Sequence, residues 1–498
     1  MTTPLLSAAI PPEFAAIRPG LPANFIGGEA VVGAGPEFEV LRPSDGGLLG
    51  PLRAASLDQL ALAVGDAAEA QRRSGWGTME PRGRMAVLRR WADLIAADAD
   101  TLAPLEAVGS TRTLAEVRAW DLPYTADCIR FFAEFADKHG GEVAATTSDK
   151  LGFTLTEPYG VVGAIAPWNL PLVMAAWKLG AALAAGNAVV LKPSELTPFS
   201  VVRLAELAIA AGLPAGLFNI VQGHGADIGD GLVRAGQVGK VSFTGSTRTG
   251  RAIMAACAET GPKPVTLELG GKSPQLVFAD ADLDKASAIV ARAITLNAGQ
   301  VCVAGSRLLV QEAVRDAVVE RIRDAFAAHR LGPTWSDATT MGPVISERQL
   351  AQIDGMVARA RTAGGEIVTG GSRAGAPQQG SYYEPTLLAG LAQDAEAVQG
   401  EIFGPVLTVQ TFHDEAEAFA LANDTHYGLA AGVHTTDVGR ALRAVRQLQA
   451  GTVWVNRYGR SDDHMLPTGG YKQSGVGKDL GREAYLASCR SKTALIAF

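Results

Sequence analysis

With 498 residues, 47% hydrophobic and 19% charged, the chain has an ordinary globular balance and is long enough for several domains of roughly 100–200 residues each. Its net charge of −7 comes with scattered lysines and arginines, which excludes the basic block of a nucleic-acid binder. No apolar run reaches the roughly 18 residues of a membrane span; the nearest, 172–190, is broken by Lys178 and Asn187. The cysteines, Cys128, Cys257, Cys302 and Cys489, are too far apart in sequence for a metal knuckle. No secretory signal precedes them, and Pro4, Pro11 and Pro12 break up the first segment, so free thiols in a reducing, cytoplasmic compartment are expected and no metal site is.

In chain order, Phe38–Leu41 reads as a short strand. Ser56–Arg73 reads as a helix that Ser56 caps, with Leu57, Leu60, Ala61, Val64 and Ala67 on its apolar face. Further helices are predicted over 82–99, where Met85, Leu88, Trp91, Leu94 and Ile95 repeat the helical period, and over 113–138. From Gly160 the pattern alternates. Strands at 160–166, 187–192, 218–221 and 240–244 are separated by helical stretches at 172–185 and 198–211 and by a helical segment before 240, which implies a parallel, doubly wound sheet. A second alternation follows. Strands are expected at 266–269, 275–278 and 306–310 and near Ile367 and Val406, with helices over 283–298, 313–328 and 346–363. The ends of the strands, and the cleft between the two blocks, are where a ligand belongs.

Several segments carry chemistry. Asn297-Ala298-Gly299-Gln300-Val301-Cys302 places a thiol in a small-residue loop between a helix and a strand, where it becomes a nucleophile if it ionises. A lone cysteine is more often a small buried hydrophobe, and Cys128, Cys257 and Cys489 are read that way. Glu268 stands in the apolar run Val265-Thr266-Leu267-Glu268-Leu269-Gly270-Gly271; it is either a base with a raised pKa or half of an ion pair with Lys272 or another cation. Asn169, in Pro167-Trp168-Asn169, ends the first strand of the sheet and can donate to an oxyanion, or merely make a turn. Lys192-Pro193-Ser194-Glu195 can reach sugar hydroxyls, and Glu195 would repel a 2′-phosphate. Phe243-Thr244-Gly245-Ser246 opens a helix whose free N–H groups suit a pyrophosphate, although the spacing is not that of the G-x-G-x-x-G fingerprint. Glu401-Ile402-Phe403-Gly404-Pro405 could clamp a ribose and a flat ring, or be an edge-strand turn.

Together with Gly469-Gly470-Tyr471-Lys472-Gln473-Ser474-Gly475, and in this order, these motifs closely resemble the aldehyde dehydrogenase superfamily from about Ile26 to Ser491. The resemblance implies an α/β fold of two doubly wound α/β domains plus a small β oligomerisation element. The expected boundaries are 1–140 and 158–267 for the coenzyme-binding domain, 268–470 for the catalytic domain, and 141–157 with 471–498 for oligomerisation. It further implies Cys302 as nucleophile, Asn169 and the Cys302 N–H as oxyanion donors, Glu268 as base for water, and Lys178 near the reaction. NAD, with NADP possible, would be held by Ile165, Ala166, Pro167, Trp168, Lys192, Ser194, Glu195, Gly225, Phe243, Thr244, Gly245, Ser246, Glu268, Leu269, Gly270, Glu401 and Phe403. Glu483 also matches a family position near the site.

The implied reaction oxidises an aldehyde to an acid through a thiohemiacetal and thioester on Cys302, in a homodimer or homotetramer with no nucleic-acid or membrane partner. A CoA-acylating relative would typically lack the base that Glu268 supplies, and a structural relative would have lost Cys302, Glu268 or Asn169. The entrance by resemblance includes Trp120, Tyr124, Trp177 and the Arg457–Leu466 loop, mostly apolar or aromatic. Asp462 and Asp463 favour a cationic aminoaldehyde, Arg457 and Arg460 a semialdehyde carboxylate; the reading leans to amino- or general aliphatic aldehydes.

Overall fold

Continuous apolar runs bounded by glycine and proline form strands buried on both faces, and in the computed structural model they build two parallel sheets. The structure describes residues 6, 10–15, 23–374, 380–461 and 463–498. The first sheet has at its centre β1 (Val161–Ile165), β2 (Ala188–Lys192), β3 (Phe218–Ile220), β4 (Val238–Thr244) and β5 (Val265–Glu268), all parallel, in the order β5-β4-β1-β2-β3. The order reverses between β1 and β4, which leaves a crevice at their carboxyl ends. Antiparallel strands close both sides: Gly475–Val476 beside β5, and Asn24–Ile26 beside β3.

The second sheet runs through β6 (Pro274–Val277), β7 (Arg307–Gln311), β8 (Thr386–Ala389), β9 (Val406–Phe412), β10 (Ala430–His434) and β11 (Thr452–Val455), with antiparallel Glu366–Thr369 at one edge. Its strands alternate between two cores. Val277, Leu308 and Val310 face the helices Leu283–Thr295 and Arg315–Ala327, while Leu276 and Leu309 face Glu415–Asn423 and Val438–Gln447. The expected two-block α/β architecture is therefore present. Strands β8, β10 and β11 were not foreseen.

The helix Leu57–Arg73 begins at the Ser56 cap, which forms a capping box with Gln59 and contributes about 1 kcal/mol. Its buried residues are Leu60, Ala63, Val64, Ala67 and Ala68, whereas Leu57 and Ala61 are exposed. The period was right, but the apolar face lies partly rotated from the one expected, because β2 and its neighbours cover that side. The stretch over 113–138 is helical but passes through a π-turn, Val117–Asp121.

Lys150–Pro158 pairs antiparallel with Cys489–Ala497 and with Val143–Ala144 in a third, largely exposed sheet. The tail divides: Leu480, Ala484 and Tyr485 pack into the core around the first sheet, and Gly475–Val476 extends that sheet. Part of 471–498 is thus tied to the first block by burial, and only its last strand joins the third sheet.

Candidate active site

The carboxyl ends of β1, β2, β4 and β5 open on one crevice, so the segments 165–169, 192–195, 243–246 and 268–270 converge although they are far apart in the chain. After β1, Ala166 N–H bonds to Lys192 O at 3.0 Å, tying the first two segments together. Trp168 stands edge-on to Phe403, ring centroids 5.3 Å apart, so the Glu401 segment of the second block meets the first block here.

Cys302 lies in the loop before β7 and is half-buried. The backbone leading to it is strained: Asn297 and Ala298 take φ of 50° and 52°, unusual without glycine. Gly299 follows at φ +72°, and a Cβ there would sit 2.1 Å from Gly404 O, so only glycine fits. Hydrogen bonds hold the strain. Thr111 Oγ1 donates to Asn297 Oδ1 at 2.7 Å, and the Gln300 side chain donates to Asn297 O at 2.9 Å and Pro343 O at 3.1 Å. Asn169 belongs to this frame. Its Nδ2 donates to Gln300 O at 2.9 Å and its carbonyl accepts from Asn297 Nδ2 at 2.9 Å, which locks the amide beside the thiol loop. Burial, Glu268 and Glu401 push the Cys302 thiol up to about 12, while Arg460 pulls it down.

Glu268 closes β5, is 4% exposed, and its Oε1 has no hydrogen-bond partner. Burial pushes its carboxyl up to about 8, and nearby Asp479 adds to this, against Lys178, Arg460 and Lys478. The ion pair with Lys272 is not formed; Lys272 is buried elsewhere with its Nζ unpartnered. Lys178 pairs instead with Asp479 at 2.5 Å, both buried. The match of Glu483 to a site position does not hold in space, since Glu483 is exposed while Asp479, four residues earlier, occupies the buried place. A buried lysine on an all-apolar helix needs a counter-anion, and that requirement was the signal for Asp479.

On the nucleotide side, Lys192 Nζ donates to Pro193 O at 2.8 Å and lies 3.4 Å from Glu195 Oε2. Ser194 Oγ accepts from Leu196 N–H at 3.2 Å, stiffening that loop. Glu195 Oε1 is 3.8 Å from His224, next to Gly225, which opens the turn after β3. Ser246 caps the helix Thr247–Glu259. Gly245 N–H donates to Glu268 O at 3.0 Å, so it is not the free donor expected from sequence: the sheet continues one residue past β4 and uses it. The free donors at this helix start are the N–H groups of Thr247 and Arg248. Glu401 accepts from Gly271 N–H at 2.9 Å, and a Cβ at Gly270 would lie 2.3 Å from Glu401 Oε2. A crevice walled by glycine and headed by a helix N-terminus, with a lysine–glutamate pair at one end and an aromatic edge at the other, fits a dinucleotide.

On the opposite side, the 456–468 loop is anchored by Tyr458, whose hydroxyl donates to Val303 O at 2.6 Å. Asp463 is buried against Arg460 at 3.4 Å; Asp462, invoked with it for a cationic substrate, lies outside the described residues. Cys128, Cys257 and Cys489 are buried thiols, as read from their contexts.

This geometry has relatives. The family model for the aldehyde dehydrogenase family matches residues 31–494. An aldehyde dehydrogenase of Emericella nidulans is 42% identical over 463 residues, 92% of each chain. Among solved structures, a P. syringae indole-3-acetaldehyde dehydrogenase variant in complex with NAD+ and IAA superimposes with TM-score 0.93 at 40% identity, covering 95% of this chain and 96% of that one. A gamma-glutamyl-gamma-aminobutyraldehyde dehydrogenase from Burkholderia cenocepacia does so with TM-score 0.93 at 42% identity and the same coverage. The chain belongs to the aldehyde dehydrogenase family. It is an oxidoreductase acting on aldehydes.

Proposed function

We propose that this chain oxidises its aldehyde to the free acid through a thioester on Cys302 that water cleaves. The observation that carries this reading is the convergence of Cys302, the locked Asn169 amide and an unpartnered Glu268 carboxyl at the end of the nucleotide crevice. The Cys302 thiol passes its proton to the ionised Glu268 carboxylate, which hands it on to solvent, and the thiolate attacks the carbonyl carbon. The second Asn169 N–H and the Cys302 backbone N–H donate to the alkoxide. Loss of a hydride from the thiohemiacetal carbon gives the thioester; a nicotinamide held by Glu401, Phe403 and Trp168 would supply the hydride acceptor. Glu268, raised close to working pH, takes a proton from water as it attacks, and the acid leaves with the thiol restored. Lys178, held by Asp479, sets the charge around Glu268.

The cofactor side follows the same logic. Lys192 and Glu195 would hold the adenosine ribose, with Glu195 disfavouring a 2′-phosphate. Thr244, Gly245 and Ser246 with the helix start would take the pyrophosphate, and Glu401, Phe403 and Trp168 the nicotinamide end. Ile165, Ala166, Pro167, Ser194, Gly225, Phe243, Leu269 and Gly270 would line the remainder. The third sheet exposes Leu155, Leu495 and Ile496 and is the surface we assign to a dimer or tetramer. No helix among the described residues is long and apolar enough to cross a membrane, and the four free thiols suit a reducing, cytoplasmic setting.

Steady NADH formation with an aldehyde in the absence of CoA, with at least about 10³-fold loss on Cys302→Ala, is the expected result. A strict requirement for CoA would overturn hydrolysis by Glu268 and favour acyl transfer.

A further inference from the structure

We propose that the preferred aldehyde carries a carboxylate at the end remote from its carbonyl, and that Arg460 receives it. The proposal deepens the reading of Cys302 as the nucleophile and rests on it.

Tyr458 pins its loop to Val303, the neighbour of Cys302, so Arg460, two residues further on, faces the cleft rather than solvent. Only 7% of its side chain is exposed. The guanidinium lies between Trp177 and Trp454, 5.7 and 5.9 Å from their ring centroids. Its field reaches Cys302, Glu268 and Tyr124, each of which it shifts downward. The charge therefore stands in the space an aldehyde must occupy.

Two features decide its sign preference. An aromatic pair of this kind would attract an external cation, but here the protein's own guanidinium fills it. A cationic aldehyde would meet like charge. The wall is also rich in donors. The Tyr124 hydroxyl and the Trp177 indole N–H are buried beside each other, neither in a hydrogen bond of good geometry. The guanidinium offers five N–H groups, of which its recorded bonds to Thr468 and Asp463 use two. A planar carboxylate is the acceptor that this fork matches.

Asp463 does not cancel the site. It meets Arg460 once, at 3.4 Å, and its Oδ1 has no partner. A buried arginine–aspartate pair built for structure engages both oxygens, as Arg112 and Asp121 do at 2.8 and 2.9 Å. The loose Asp463 contact keeps the guanidinium oriented and leaves its other edge for the substrate.

The test compares kcat/KM for succinic semialdehyde, butanal and 4-aminobutanal in the wild-type enzyme and in Arg460→Met, Arg460→Lys and Asp463→Asn. Succinic semialdehyde should lead butanal by roughly 10- to 100-fold, the range of a charged hydrogen bond, with 4-aminobutanal last. That lead should be steady from about pH 6 to about pH 7, because arginine does not titrate there, and should shrink as Glu268 ionises through about 8 and adds a like charge to the cleft. Arg460→Met should collapse the lead, Arg460→Lys should restore part of it, and Asp463→Asn should enlarge it. Competitive inhibition of the wild-type enzyme by succinate, much stronger than by butyramide, gives the same answer with no variant that has to fold. Equal use of butanal and succinic semialdehyde, preference for 4-aminobutanal with loss on Asp463→Asn, or a lead that survives Arg460→Met would each overturn the assignment. Failure to oxidise these three while another aldehyde yields NADH would also overturn the assignment, whereas NADH formation that persists in Cys302→Ala would instead refute the reaction proposed for Cys302.

Discussion

Arg112 and Asp121 meet through two hydrogen bonds of 2.8 and 2.9 Å, with side chains 2% and 0% exposed. Arg460 and Asp463 are also buried, at 7% and 10%, but touch once at 3.4 Å. Around the first pair both Asp121 oxygens are engaged; Glu116 lies 3.2 Å from Arg112 Nη1 as an ion pair, although that nitrogen makes no hydrogen bond of good geometry, and Thr111 beside it braces the strained Asn297. Around the second, Asp463 Oδ1, Tyr124 Oη, Trp177 Nε1 and, deeper in the cleft, Glu268 Oε1 have no partner. Partnerless buried groups cost stability, so a fold keeps them where a ligand or a reaction uses them. The comparison sets a pair whose carboxylate is held at both oxygens against one whose carboxylate is held at one.

The sharpest way to break that comparison is Arg112→Met. Removing one member of this two-bonded buried pair strands the Asp121 charge and should destabilise by about 3–5 kcal/mol. Denaturant unfolding would measure it, and the molecules that remain folded should still turn over. A loss under about 1 kcal/mol would mean that the close pair is no more structural than the loose one.

Next comes Glu268→Gln, whose effect should fall on turnover and not on folding. A drop in kcat of roughly 100-fold or more is expected of a general base. The wild-type rate should climb as pH rises through about 8, because the carboxyl accepts a proton only after losing its own. That limb should be absent in the variant. Stability carries the opposite sign. From its ordinary value near 4.5 up to about 8 the unfolded state ionises Glu268 while the native state keeps it protonated, so native stability falls with rising pH across that window. Melting curves of the variant against wild type over this range should diverge in favour of glutamine. An unchanged pH–rate profile would remove Glu268 from the water step.

The smallest effect belongs to Asp463→Asn. A single long 3.4 Å contact, replaced by an amide that keeps an acceptor oxygen, should yield a change of about 1 kcal/mol in unfolding free energy. A loss of several kcal/mol would place this pair with Arg112 and Asp121.

The parallel strands and the order of the motifs were open to reading in one dimension. Val161–Ile165 and Ala188–Lys192 are continuous apolar runs because both faces are covered, and Ser56 announces its helix through a local side-chain-to-backbone bond. Strand β10, Ala-Ala-Gly-Val-His, escaped because its small residues carry little strand preference of their own, and its neighbours β6 and β11 supply the pairing. That the Gly245 N–H joins the sheet was not legible, because nothing nearby in sequence marks Glu268 O as its acceptor.

Sequence by itself thus determined the class of fold and, through the order of several separated motifs, singled out the candidate thiol, carboxyl and amide. Tertiary structure alone decided which charges meet: that Lys178 finds Asp479 across 301 positions of chain, and that Arg460 takes the place between Trp177 and Trp454. Coulomb energy and desolvation depend on distance in space and on what excludes water, and neither is written in the spacing of residues along the chain.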